Sequence, residues 1–113
     1  MKNLILLFSL LCTMNIMAQS TITTSTITVK GNCDQCKERI ENAADIKGVK
    51  NSTWSEKTKV MSVTYDSKKV SLELIEKAIA KAGYETVNVK ADQNAYNSLP
   101  SCCKYQSGDC KKK

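Results

Sequence analysis

Cys33 and Cys36, in the run Gly31-Asn32-Cys33-Asp34-Gln35-Cys36, are the residues of this chain best suited to chemistry. Two thiols separated by two residues converge when the pair opens a helix. There the unpaired N–H groups and the helix dipole favour negative charge, which lowers a thiol pKa and stabilises thiolate. The chain has 113 residues and no histidine. That excludes Cys–His and Ser–His–Asp nucleophile arrangements, His-ligated zinc or haem, and histidine-based pH switching. Two soft thiolates without histidine or a carboxylate pair suit a soft, low-coordinate cation. Cu(I) fits best, with Hg(II), Ag(I) and Zn(II) as alternatives. A two-coordinate Cu(I) dithiolate carries a single negative charge, which a helix N-terminus tolerates, and it stays open to attack by an incoming thiolate. The same spacing also occurs in structural disulfides and in redox-active thioredoxin-type sites. The latter go with a cis-proline facing the cysteines, and the one proline here, Pro100, lies near the C-terminus.

The elements that must position this pair read as one α+β domain. Residues 20–30 are rich in β-branched side chains, with Ile27 and Val29 alternating with Thr26 and Thr28, which predicts a strand. After Gly31-Asn32, the stretch from about Asp34 to Asp45 places Cys36, Ile40 and Ala43/Ala44 at helical spacing, and Gly48 supplies a stop. Val49–Ser55 and Val60–Tyr65 read as a hairpin around the polar turn 56–59. A second helix follows, with Ser71 as N-cap, Leu74, Ile75, Ala78, Ile79 and Ala82 as its buried stripe, and Gly83 at its end. A last strand is expected over Glu85–Lys90. The order is β-α-β-β-α-β over residues 22–90, a ferredoxin-like sandwich in which two helices cover a four-stranded antiparallel sheet. Residues 91–113 lose periodicity and read as a flexible, cysteine-bearing tail.

Residues 1–18 combine Lys2, an apolar run over Leu4–Cys12 and a small residue, Ala18, before Gln19. This is the pattern of a secretory signal peptide, and its apolar run is too short for a membrane span. Export, periplasmic or secreted, is the expectation. Cleavage there lowers the net charge from +6 to +5 and leaves five cysteines: Cys33, Cys36, Cys102, Cys103 and Cys110. An odd number cannot be fully paired in a monomer. For Cys102, Cys103 and Cys110 metal binding, disulfide pairing and an incidental role all stay open.

The run GNCDQC resembles the G-M-x-C-x-x-C metal loop of the heavy-metal-associated domain family. The similarity extends through Lys47-Gly48-Val49, Val63-Thr64-Tyr65-Asp66 and Lys81-Ala82-Gly83-Tyr84, and covers about residues 25–90. Members include copper chaperones, modules of copper-exporting P-type ATPases and an exported mercury-binding protein. The resemblance implies that Cys33 and Cys36 are the metal ligands and that Tyr84 lies close to the metal loop. Asn32 stands where the family has methionine, and it could hold the loop through side-chain hydrogen bonds.

Trp54 and Met61 read as core rather than ligands, and Lys111–Lys113 as solvated charge. A positive chain of this topology could suggest RNA binding, but Met61, Val63 and Tyr65 offer no exposed aromatic set for stacking. The expected protein is a monomeric, non-enzymatic Cu(I) carrier that binds no nucleic acid. It would pass its ion by thiolate exchange to a thiol-bearing partner such as a metal-transporting ATPase. Hg(II) capture by the same fold, or thiol–disulfide exchange, are the alternatives.

Overall fold

The computed structural model describes residues 21–106. The leader expected over 1–18, Cys110 and Lys111–Lys113 lie outside the described residues. Strands β1 (Ile22–Thr28), β2 (Val49–Trp54) and β3 (Val60–Asp66) form an antiparallel sheet in the order β1-β3-β2. Ile27 pairs with Met61 on one side, and Trp54 pairs with Met61 on the other. The period of two sends Ile27, Trp54, Met61, Val63 and Tyr65 into the core and leaves Thr24, Thr26 and Ser62 outside. Helices α1 (Asp34–Ala44) and α2 (Leu72–Lys81) contribute Cys36, Ile40, Ala44, Ile75 and Ile79 to the same core.

Two ties lock α1 to the sheet. Glu41 Oε2 accepts the Trp54 N–H at 2.9 Å, and Lys37 Nζ donates to the Trp54 carbonyl at 2.9 Å. The Trp54 indole donates to the Val29 carbonyl at 3.0 Å, so the largest buried side chain also has its polar atom satisfied. Ser71 caps α2 as expected, its side chain accepting from the Leu74 N–H at 3.2 Å. The stripe of α2 differs: Leu74 is 51% exposed, while Glu76 and Ala80 are buried beside Ile75 and Ile79. The helix is rolled toward Glu76 because that carboxylate accepts from Thr86 Oγ1 at 2.7 Å and Asn88 Nδ2 at 3.2 Å.

Those bonds also explain why the expected fourth strand is not formed. Glu85–Lys90 forms no ladder with the sheet, only an isolated antiparallel bridge between Thr86 and Val29, one residue past β1, beside the Lys30–Glu85 ion pair. The chain then turns, with Thr86 N–H donating to the Val89 carbonyl at 2.9 Å and Val89 N–H to Thr86 Oγ1 at 3.1 Å. Val87 sits at the turn, 72% exposed. The alternation of Val87 and Val89 is real in the sequence, but the Glu76 carboxylate and the turn-forming Asn88 override it. Among the described residues the sheet therefore has three strands rather than the expected four.

The part of the expected tail that lies among the described residues has secondary structure of its own. Residues 91–106 are folded: α3 (Gln93–Asn97) is capped by Asp92, whose side chain accepts from Ala95 N–H at 3.0 Å, and a single 3₁₀ turn spans Ser101–Cys103. Tyr96, Leu99 and Cys103 are buried in the common core. Gly83, at φ +101°, lets this segment come close, because a Cβ there would lie 2.9 Å from the Tyr96 nitrogen.

Candidate metal centre

Cys33 is the N-cap of α1 and Cys36 lies in its first turn, where the helix twist brings their sulfurs to 3.8 Å. That is nearly twice a disulfide bond length, so the two face each other as thiols. Cys36 is fully buried and Cys33 half-buried. No side-chain hydrogen bond caps the helix at Cys33. A thiol is a weak acceptor, whereas a thiolate here is a strong partner for the unpaired first-turn N–H groups. A metal-bound thiolate at this helix end would be met by those N–H groups.

The 3₁₀ turn brings a third sulfur to this pair. The sulfurs of Cys33, Cys36 and Cys103 all lie within 4.8 Å of one another, and Cys103 is fully buried. Burial pushes the Cys103 thiol pKa well above its usual value, the neighbouring Cys36 adds to the rise, and the Tyr84 hydroxyl opposes it. Cys102 stays on the rim, where its thiol donates to Gln35 Oε1 at 2.9 Å. Its carbonyl accepts from the Cys33 thiol at 3.7 Å.

Tyr84 is fully buried, next to the loop as the family resemblance implied. Its hydroxyl interacts with the Cys103 and Cys36 sulfurs yet has no hydrogen bond of proper geometry. Burial foremost, then these sulfurs, raises its pKa far above that of an ordinary tyrosine. Among the described residues it is the one buried side-chain polar atom without a partner. Such an atom is costly unless something completes it, and a thiolate at Cys36 or Cys103 would accept a hydrogen bond from it. The donor set, soft sulfurs with one neutral hydroxyl beside them, fits a soft metal ion.

Asn32 ties the loop to the C-terminal segment. With its amide oxygen toward Tyr105, it accepts from the Tyr105 N–H and donates to the Gly31 carbonyl, both at 3.3 Å. In the opposite orientation its nitrogen reaches the Cys102 carbonyl at 3.4 Å. Either way, the residue standing in for methionine bonds to residues 102–105 or holds its own turn. Gly31 lets the loop lie flat on the core, since a Cβ there would meet Ile40 Cδ1 and the Trp54 ring at 3.0 Å. Trp54 and Met61 are core residues, far from offering a ligand.

Sequence reasoning singled out Cys33, Cys36 and Tyr84, and the structure brings all three together. It left Cys103 undecided and did not single out Tyr96 or Tyr105. Their signal was present: Asp92, three residues before Ala95 and followed by Tyr96 and Leu99, is a helix start with an apolar face.

Residues 26–85 match the heavy-metal-associated domain family. No curated protein matches the chain. Among solved structures, a CopZ metallochaperone is 31% identical, with a TM-score of 0.55 over 57% of this chain and 100% of its own. Oxidized MerP from Ralstonia metallidurans CH34 is also 31% identical, with a TM-score of 0.55 over 57% of this chain and 93% of its own. The N-terminal domain of a potential copper-translocating P-type ATPase from Bacillus subtilis, in the Cu(I)-loaded state, is 27% identical. Its TM-score is 0.55 over 57% of this chain and 84% of that domain. The family match ends at residue 85, so the segment carrying Cys103 lies beyond it. Since the match takes in the metal loop, both helices and the β2–β3 hairpin, the chain belongs to the heavy-metal-associated domain family.

Proposed function

We propose that this protein is an exported metal carrier that binds Cu(I) through Cys33 and Cys36 and passes it on to a partner's thiols. The observation that carries this reading is the 3.8 Å pair of sulfurs at the N-terminus of α1, within a heavy-metal-associated domain. Heavy-metal binding follows from the family and the cysteine cluster. The preference for Cu(I) rests on the chemistry of the donors and on the likeness to a metallochaperone and to a Cu(I)-loaded ATPase domain. Such domains are carriers, which supports binding and release rather than conversion.

Release would proceed by stepwise thiolate exchange. Cys33, half-buried on the rim, is the ligand an incoming thiolate can displace first, while buried Cys36 holds the ion. A partner with its own paired thiols, such as a metal-transporting ATPase, suits that exchange. Export is supported by the leader-like composition of residues 1–18.

An anaerobic Cu(I) competition titration against a chromogenic chelator tests the reading, with the reduced protein beside a Cys33→Ser/Cys36→Ser double variant. Withdrawal of about one copper by the wild type and none by the variant supports it. Equal binding by both removes the assignment. Failure of both to compete, with metal-free turnover of an external disulfide, would instead make the protein a thiol–disulfide oxidoreductase. Preference for Hg(II) in a parallel competition would identify a mercury-capturing protein of the same fold.

A further inference from the structure

We propose that Cys103 is a third metal ligand, so that the C-terminal segment turns the two-sulfur loop into a three-coordinate thiolate site. The inference rests on the metal-binding reading above and goes beyond it, because Cys103 lies outside the part of the chain that matches the family.

Geometry is the first support. With a metal–sulfur bond of about 2.3 Å, as for zinc thiolates, the sulfurs of a trigonal site lie about 4.0 Å apart and those of a linear pair about 4.6 Å apart. The Cys33–Cys36 separation of 3.8 Å is closer to the trigonal value. Cys103 Sγ, within 4.8 Å of both, needs only a small inward movement to complete the triangle.

The surroundings of the third sulfur are the second support. The fold fixes Cys103 through a backbone bond from its N–H to the Pro100 carbonyl at 2.8 Å, and through the buried anchors Tyr96 and Leu99. It is held against the loop rather than reaching it by chance. Beside it lies the unpartnered Tyr84 hydroxyl, a donor with no acceptor until a thiolate forms at Cys103 or Cys36. Three thiolates around one ion leave a net negative charge, and two features offset it: the Tyr84 proton and the uncapped N–H groups of α1.

Loading with Cu(I) is pure ligand exchange. Three S–H bonds break, three copper–sulfur bonds form as the ligands that brought the copper leave it, three protons pass to solvent, and no electron moves. Release then needs two displacements before the ion leaves Cys36, so the third ligand slows hand-over and tightens retention.

The test is X-ray absorption on the full chain after anaerobic addition of one equivalent of Cu(I) as its acetonitrile complex, with native mass spectrometry to show a monomer. The expected result is three sulfur neighbours in the wild type, two in Cys103→Ser and Cys103→Ala, and three in Cys102→Ser and Cys110→Ser. Cys103→Ser should also raise the Cu(I) dissociation constant at least about tenfold, the lower end of what even an outer partner's loss costs. Two sulfurs in the wild type overturn this inference and leave the two-cysteine carrier standing. Loss of the third sulfur in Cys102→Ser or Cys110→Ser instead of Cys103→Ser overturns it too. No copper in the wild type overturns both readings. Should the Cys103 variants fail to fold, the sulfur counts of the wild type, Cys102→Ser and Cys110→Ser decide together: three in each supports the inference, and two in any of them overturns it.

Discussion

Tyr105 bridges the loop that carries Tyr84: its hydroxyl donates to the Gly83 carbonyl at 2.8 Å and accepts from the Glu85 N–H at 2.9 Å. Its ring stacks on Tyr84 with centroids 5.9 Å apart and meets Tyr96 edge-on at 5.0 Å. One side chain thus fastens the C-terminal segment to the loop between α2 and the sheet edge. Tyr105→Phe keeps the ring contacts and strands two partly buried backbone groups, which should cost about 2 kcal/mol. Urea unfolding checks this: the midpoint should fall with the slope unchanged. An unmoved midpoint would mean that the segment is docked by its apolar anchors alone.

Gly83 is the other half of that junction. It sits at φ +101°, and a Cβ there would lie 2.9 Å from Tyr96 N and 3.0 Å from Ala95 C, backbone atoms that cannot swing aside. Gly83→Ala therefore combines left-handed strain with a backbone clash, and should destabilise the protein by more than about 2 kcal/mol. Its effect is not only global. The clash is with α3, so Cys103 should become readily alkylated in this variant under conditions where the rest of the fold persists. Full protection of Cys103 in Gly83→Ala would show that the 3₁₀ turn holds its place without α3.

Much of this was legible in the sequence, and the failures share a cause. The period-two and period-3.6 patterns of β1, β3, α1 and the caps of α2 are local signals, and they placed Cys33 and Cys36 at a helix start. Val87 and Leu74 were misplaced because their fates depend on a long-range partner. The buried Glu76 carboxylate draws Thr86 and Asn88 into a turn and rolls α2 toward itself. No local rule announces that a glutamate will be buried, since most are exposed. Cys103 was undecided for a similar reason: its meeting with Cys33 depends on how α3 lands on Gly83. The asparagine in the methionine position was legible as a hydrogen-bonding turn residue, but its link to Tyr105 or Cys102 was not.

Exposure orders the four described thiols for chemical footprinting. Cys33 and Cys102 are half-buried, whereas Cys36 and Cys103 are fully buried. In the metal-free protein, iodoacetamide should modify Cys102 and Cys33 first and Cys103 last, because burial also keeps the Cys103 thiol protonated. One equivalent of Cu(I) should then protect Cys33 while Cys102 remains reactive. Peptide mass spectrometry reads each site separately. Protection of Cys102 together with Cys33 would show that the rim cysteine joins the site and that the assignment of ligands needs redrawing.

The raised pKa of Cys103 has a consequence for stability in base. Its thiol ionises near 9.0 in an unfolded chain and well above that in the fold, because burial, Cys36 and the adjacent sulfur of Cys102 oppose a charge there. Above about pH 9 the unfolded state therefore loses a proton that the native state keeps, and stability must fall as pH rises. Below that pH both states hold the proton and the contribution is constant. Tyr84 and Tyr105 act in the same direction at higher pH, since burial raises both, Tyr105 to about 12. Metal-free protein should thus show a urea midpoint that is flat near neutrality and declines from about pH 9. In Cys103→Ala the first part of the decline should vanish, leaving an onset nearer the ordinary tyrosine value of 10.0. Bound Cu(I) should reverse the trend, because loading displaces the same thiol protons and is favoured as they become easier to remove. An identical alkaline profile for wild type and Cys103→Ala would show that the Cys103 thiol ionises in the fold as it does in the unfolded chain, and that its pocket is open to water.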